Sequence, residues 1–176
     1  MTKSVYIHIP FCIRKCAYCD FLSGPADDET VAKYMEALKK EILSQKELAK
    51  DYVVTSIFFG GGTPSILSGT QMRNIMELLR KCFEIASDAE ISMEANPGTV
   101  TKRKLKAYRN AGINRISFGL QSTNDDELKS LGRIHTYKDF LKSFSLAREC
   151  GFENINIDLI SAIPNQTVES WETSVL

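Results

Sequence analysis

Cys12, Cys16 and Cys19 follow one another as C-x3-C-x2-C, directly after the short apolar run Val5–Pro10. Thiolates are favoured ligands of iron–sulfur clusters and of zinc, and short spacings let one loop wrap a single centre. A structural zinc site takes four ligands, and a bacterial ferredoxin run would read C-x2-C-x2-C with a fourth cysteine and a proline behind it. Here the next cysteine is Cys82. Three protein ligands on a four-iron cluster leave one iron open to bind something else, which points to chemistry rather than electron storage. The competing arrangement is a Cys3His zinc site that recruits His8.

Other residues able to do chemistry recur at fixed places in a repeating strand–helix pattern. A strand at Ser4–Ile9 leads into the cysteines, and a helix from about Asp28 carries Val31, Tyr34, Met35, Leu38 and Ile42 at helical spacing. Val53–Phe59 forms a second strand that ends at Gly60-Gly61-Gly62-Thr63-Pro64. Ser68 caps a helix with the stripe Met72, Ile75, Met76, Leu79 and Phe83. A third strand, Glu90–Glu94, ends in Glu94-Ala95-Asn96-Pro97, and the helix Lys102–Ala111 stops at Gly112. A fourth, Arg115–Leu120, ends in Gly119-Leu120-Gln121-Ser122, with a short helix near Asp125–Leu131 and then Gly132-Arg133 behind it. A helix over Tyr137–Cys150 and a fifth strand, Asn154–Leu159 with Asp158 near its end, complete the series. Alternating units of this kind predict an α/β fold with a parallel sheet and right-handed crossovers, whose chemistry belongs at the C-terminal strand ends.

Length and composition set ordinary bounds. The chain has 176 residues, 43% of them hydrophobic, and its 22 basic and 22 acidic residues cancel. No basic stripe points to nucleic acid, and the apolar N-terminal run is too short for a signal peptide or a membrane span. Five cysteines, an odd number with three clustered, argue for a reducing, cytoplasmic compartment rather than a disulfide framework. The helix beginning near Val168 meets no stop signal before Leu176, so the sequence is expected to be part of a longer protein.

Taken singly, several residues have plainer explanations. The triple glycine could be a simple strand exit, and it lacks the lysine and hydroxyl residue of a P-loop. Glu94 and Asp158 could be caps or solvated carboxylates, and Arg133 a surface cation. Cys82 falls on an apolar helix stripe and Cys150 at a helix end, both suited to packing. His135 has no evident partner and is assigned to structure, as Tyr34, Phe140 and Phe144 are to helix packing.

Together the motifs are specific. Tyr6-Ile7-His8-Ile9-Pro10-Phe11-Cys12 with Cys16, Tyr18 and Cys19, followed by Phe59-Gly60-Gly61-Gly62-Thr63-Pro64, resembles the radical S-adenosylmethionine superfamily. More narrowly it resembles the oxygen-independent coproporphyrinogen III oxidase-like family. Glu94-Ala95-Asn96-Pro97, Gly112-Ile113-Asn114-Arg115, Gly119-Leu120-Gln121-Ser122, Gly132-Arg133-Ile134-His135 and Asp158-Leu159-Ile160 fit it in the same order. The resemblance implies one radical SAM core domain over residues 1–176, a partial (β/α)6 barrel truncated after about five βα units. It implies that Cys12, Cys16 and Cys19 hold a [4Fe-4S] cluster whose open iron chelates S-adenosylmethionine. One electron from the reduced cluster would then, on this resemblance, cleave the sulfonium C–S bond, giving methionine and a 5′-deoxyadenosyl radical. By the same resemblance Tyr6, Tyr18, Gly61, Gly62, Thr63, Glu94, Gln121, Arg133 and Asp158 surround that cofactor, the glycines letting backbone approach its methionine end. No catalytic residue is implied beyond the cluster.

One departure separates the branches. The oxidase pattern has Cys-x-Cys at the last cluster cysteine, whereas here Cys19 precedes Asp20-Phe21. Cys-Asp-Phe resembles the HemW-type haem chaperone branch, which delivers haem to haemoproteins and is not expected to decarboxylate. The partners implied are haem, client haemoproteins and an electron donor. The alternative is an oxygen-independent coproporphyrinogen III oxidase acting on a porphyrinogen. Haem-binding residues are expected outside these 176 residues.

Overall fold

A computed structural model describes residues 1–176. Five parallel strands form one sheet in sequential order: β1 (Thr2–Ile9), β2 (Val53–Gly61), β3 (Glu84–Ala95), β4 (Arg115–Gln121) and β5 (Asn154–Leu159). The helices are α1 (Asp28–Ser44), α2 (Gly69–Cys82), α3 (Lys102–Ala111), α4 (Asp125–Ser130), α5 (Tyr137–Glu149) and α6 (Val168–Val175). Sequential parallel order with right-handed crossovers places the crossover helices on one face of the sheet. The apolar residues follow: Ile7, Ile9, Ile57, Phe59, Ile91, Met93, Ile116 and Phe118 join the buried faces of the helices in one core.

Strand side chains alternate, so the intervening residues point to the other face. Tyr6, His8, Phe58, Ser92, Glu94, Arg115, Ser117, Asn156 and Asp158 lie there, where a fully buried sheet would carry apolar groups. Polar ladders cross this face: Arg115 Nη1 donates to Ser92 Oγ at 3.2 Å, and Asn156 Nδ2 to Ser117 Oγ at 2.9 Å. A parallel sheet with helices outside and a polar inner face has the layout of an incomplete barrel wall.

Local signals set most boundaries. Ser68 and Gln71 form a reciprocal capping box on α2, whose residues Met72, Ile75, Met76, Leu79 and Cys82 are buried. Gly112 ends α3 in the left-handed conformation. The third strand is longer than its pattern predicts. Residues 84–89 alternate weakly, but Glu84 and Ile85 pair with Val53 and Val54, and a register shift separates this pairing from Ser56–Glu90. Cross-strand pairing supplied what local periodicity lacked.

Candidate cofactor site

Residues 11–24 form a loop at the C-terminal end of β1, closed at its base by backbone bonds. Cys12 N–H donates to Gly24 O and Gly24 N–H to Pro10 O, each at 3.0 Å. Its middle is pinned from across the site, where Ala17 N–H donates to Leu131 O at 3.0 Å. Next to that contact Gly132 takes a left-handed φ of 74°. A Cβ there would stand 3.3 Å from Ala17 N. Lys15 Nζ donates to Phe21 O at 3.1 Å, tying the two halves of the loop together. Tyr34 on α1 donates its hydroxyl to His8 O and meets the Phe11 ring edge-on at 5.2 Å. Tyr34 therefore packs as its helical spacing predicts, and it also anchors the strand that carries the loop.

The three loop cysteines are free and half-buried. They line a cleft of about 170 Å³ with Tyr18, Gly61, Gly62, Thr63, Glu94, Gln121, Arg133 and Asp158. All the site residues expected from the sequence meet here except Tyr6. That ring stacks on Phe58 at 6.2 Å, and its hydroxyl hydrogen-bonds His8 Nδ1 at 3.2 Å on the inner face. His8 Nε2 engages Leu22 O at 3.0 Å, so both ring nitrogens have partners within the fold. No three His, Cys, Asp or Glu side chains converge as ligands of a single ion. His8, the histidine that a Cys3His zinc site would recruit, is held instead by Tyr6 and Leu22.

The glycines meet protein before they meet any ligand. A Cβ on Gly62 would lie 2.6 Å from Phe11 O and 2.9 Å from Ile9 O, so a side chain there would collide with the backbone leading into the cysteine loop. Gly61 has a φ of 108° and backs onto the His8 ring. Its N–H donates to Glu94 Oε2 at 3.2 Å. Burial pushes the Glu94 carboxyl above its ordinary value, opposed by that N–H and reinforced by nearby Asp158. Asp158 is fixed by Ser117 Oγ–H at 3.0 Å and Asn156 Nδ2–H at 2.8 Å. Gln121 adopts a φ of 74° without being glycine, a strained conformation that turns the chain at the end of β4. Partial burial pushes the Tyr18 phenol up to about 12, with Arg133 opposing.

Arg133 occupies the centre. Its Nη2 donates to Asn96 Oδ1 at 2.8 Å and to Gly119 O at 2.6 Å, and its Nη1 to Cys16 Sγ at 3.5 Å. No carboxylate lies within ion-pair distance of this half-buried guanidinium. Its Nε is the one buried side-chain polar atom in the protein with no partner. An unneutralised cation and an orphaned donor beside three free thiols fit an anionic thiolate-held cluster. Asn96, given no role by the sequence, proves to be a hub: Nδ2 donates to Thr63 Oγ1 at 2.9 Å, and Thr63 Oγ1 to Cys12 Sγ at 3.5 Å. The available signal was its position before Pro97 at a strand exit.

The residues outside the cleft behave as packing. Cys82 is buried in the core, and Cys150 Sγ lies 3.7 Å from Lys102 O. His135 is 6% exposed and its Nε2 lies 3.2 Å from Leu120 O. No helix is long and apolar enough to cross a membrane.

Comparisons with known proteins agree with this arrangement. The radical SAM superfamily profile matches residues 6–175. The chain is 42% identical over 174 residues to heme chaperone HemW of Bacillus subtilis, covering 98% of this chain and 46% of that protein. It is 43% identical over 172 residues to heme chaperone HemW of Escherichia coli, covering 94% and 44%. Among solved structures, coproporphyrinogen III oxidase (HemN) from E. coli, a radical SAM enzyme, superposes with a TM-score of 0.90 at 35% identity, over 98% of this chain and 40% of that one. The chain thus spans less than half the length of the curated relatives it matches. With the matched profile, the parallel sheet and the cysteine loop in place, the chain belongs to the radical SAM superfamily.

Proposed function

We propose that Cys12, Cys16 and Cys19 hold a [4Fe-4S] cluster, that the surrounding cleft binds S-adenosylmethionine, and that the longer protein serves as a haem chaperone. The observation that carries the cofactor part is the half-buried Arg133 guanidinium, unpaired with any carboxylate and directed at the cysteine loop. A bound cluster would supply one electron to the sulfonium of the cofactor. The protein's own part is positional. Glu94 and Asp158, backed by Gly61 N–H and Ser117 Oγ–H, present fixed oxygens to a cationic amino group. The Gly61–Thr63 backbone forms the wall at the end of β2, and Tyr18 offers a ring to an adenine. Tyr6 acts through His8, keeping the imidazole against Gly61 rather than lining the cleft.

Chaperone rather than oxidase is supported by Cys19-Asp20-Phe21 and by 42–43% identity to proteins named heme chaperone HemW. The solved HemN structure favours the second reading, oxidative decarboxylation of a porphyrinogen, through its 0.90 TM-score. The cofactor assignment is tested by anaerobic reconstitution, dithionite reduction and EPR with and without S-adenosylmethionine. A [4Fe-4S]⁺ signal that shifts on adding the cofactor is expected, and no cluster at all would overturn the assignment. For the longer protein, stoichiometric haem binding without carbon dioxide release from coproporphyrinogen is expected. Measurable decarboxylation would transfer it to the oxidase reading.

A further inference from the structure

The orientation of every group around Asn96 follows from one fact: a guanidinium only donates hydrogen bonds. Arg133 Nη2 stands 2.8 Å from one end of the Asn96 amide, so that end is the oxygen. The other end is then the NH2 group, which donates to Thr63 Oγ1 at 2.9 Å. With that Thr63 lone pair occupied by a donor, the single hydroxyl proton is left for Cys12 Sγ, 3.5 Å away. The remaining Arg133 arm, Nη1, reaches Cys16 Sγ at 3.5 Å. A hydrogen-bonded circuit, open between the two thiols, runs from one through Thr63, Asn96 and Arg133 to the other.

The circuit is rigid. Thr63 is 2% exposed. Asn96 N–H donates to Ser65 Oγ at 3.2 Å, and its carbonyl accepts from Thr99 N at 3.1 Å and Thr99 Oγ1 at 2.7 Å. Every polar group of Asn96 is thereby used. Gly119 leaves the room: a Cβ there would sit 3.2 Å from Asn96 Oδ1 and 3.4 Å from Arg133 Nη2.

We propose that Asn96 is a positioning residue that aims two hydrogen bonds, Thr63 O–H at Cys12 Sγ and Arg133 N–H at Cys16 Sγ, and so raises the reduction potential of the cluster those thiolates hold. The inference rests on the cluster assignment above. Reduction adds negative charge to the cluster and its sulfurs, and hydrogen bonds to the sulfurs stabilise the reduced form more than the oxidised one. Without Asn96 the Thr63 proton has no fixed direction and the Arg133 fork loses its brace.

The test is an EPR-monitored redox titration of the cluster-loaded protein without S-adenosylmethionine. Thr63→Val keeps the volume and removes the donor. It is expected to lower the reduced-to-oxidised ratio at fixed ambient potential about tenfold, which is 59 mV for a one-electron couple. Thr63→Ser retains the hydroxyl and is expected to stay at the unsubstituted value. Asn96→Asp keeps the shape but turns both faces into acceptors, drawing the Thr63 proton off sulfur. Its added charge also lowers the potential, so the informative quantity is the coupling. The drop is expected to be larger in the native background than in the Thr63→Val background. An unchanged potential in Thr63→Val with four irons bound, or equal drops for Asn96→Asp in both backgrounds, would overturn the inference. An unsubstituted protein that binds no four-iron cluster defeats instead the assignment beneath it.

Discussion

The imidazole of His8 fills the space that a side chain on residue 61 would need: a Cβ on Gly61 would lie 2.5 Å from both Cε1 and Nδ1 of the ring. That ring is not free to step aside, because Tyr6 holds one nitrogen and Leu22 O the other. The left-handed φ of 108° adds a second reason for glycine. Gly61→Ala is therefore expected to lower stability by about 2 kcal/mol or more. Gly98, also left-handed at 81° but with nothing within 4 Å of its Cβ position, is the control. Gly98→Ala should carry the backbone strain alone, roughly 1 kcal/mol. Urea unfolding of both variants checks the difference; equal losses would remove His8 from the explanation.

Cys16→Ala should abolish cluster assembly, because two thiolates do not retain four irons. Cys82→Ala, a core substitution remote from the loop, should keep the full iron content while lowering stability by about 1 kcal/mol. Iron analysis after anaerobic reconstitution distinguishes the two. Wild-type iron in Cys16→Ala would refute the ligand assignment.

His135 gives the fold an acid limit. Burial pushes its imidazole down to about 4 from the ordinary 6.5, and the Arg133 guanidinium adds to the shift. As pH falls, the unfolded chain takes up this proton first, so unfolding becomes favoured. The contribution is fully present above about 6.5 and is lost progressively down to about 4, on the order of 3 kcal/mol in total. His135→Asn should flatten that part of the stability–pH curve of the metal-free chain, measured by urea unfolding between pH 4 and 7. A curve that keeps its slope would place the titrating group elsewhere.

Glu127 secures the end of the chain. Burial alone would raise its pKa, but Ser122, Ser170 and Gln166 all donate to its carboxylate and hold it below the ordinary range. The bonds from Ser122 Oγ and Gln166 Nε2 measure 2.6 and 2.9 Å. Helix α6 has no buried residue of its own, so it depends on such polar ties. Glu127→Ala is expected to speed amide exchange across Val168–Val175 at least tenfold while leaving β1–β4 protected, as read by hydrogen exchange with mass spectrometry. Unchanged protection in α6 would show that other contacts hold it.

Much of this protein was legible in one dimension. Helix stripes such as Met72, Ile75, Met76 and Leu79 identify their own buried face, because periods of 3.6 and 2 are properties of the local chain. The cysteine spacing and the glycine run at the end of β2 likewise state their chemistry locally, and parallel order puts them on one rim. Three things waited for the tertiary structure. The first half of β3 exists because β2 pairs with it, and its own alternation is poor. Tyr6 shares the rim yet spends its hydroxyl on His8, a choice set by which neighbour lies within bonding distance. Asn96 sits 33 residues from Thr63 and 37 from Arg133, and although the sequence puts all three on one rim, nothing in it says that Asn96 bonds to both or which amide atom faces which. Composition and spacing fixed which atoms could bind iron; only folding brought a donor-only guanidinium to one side of Asn96, and that contact decides where the proton beside Cys12 points.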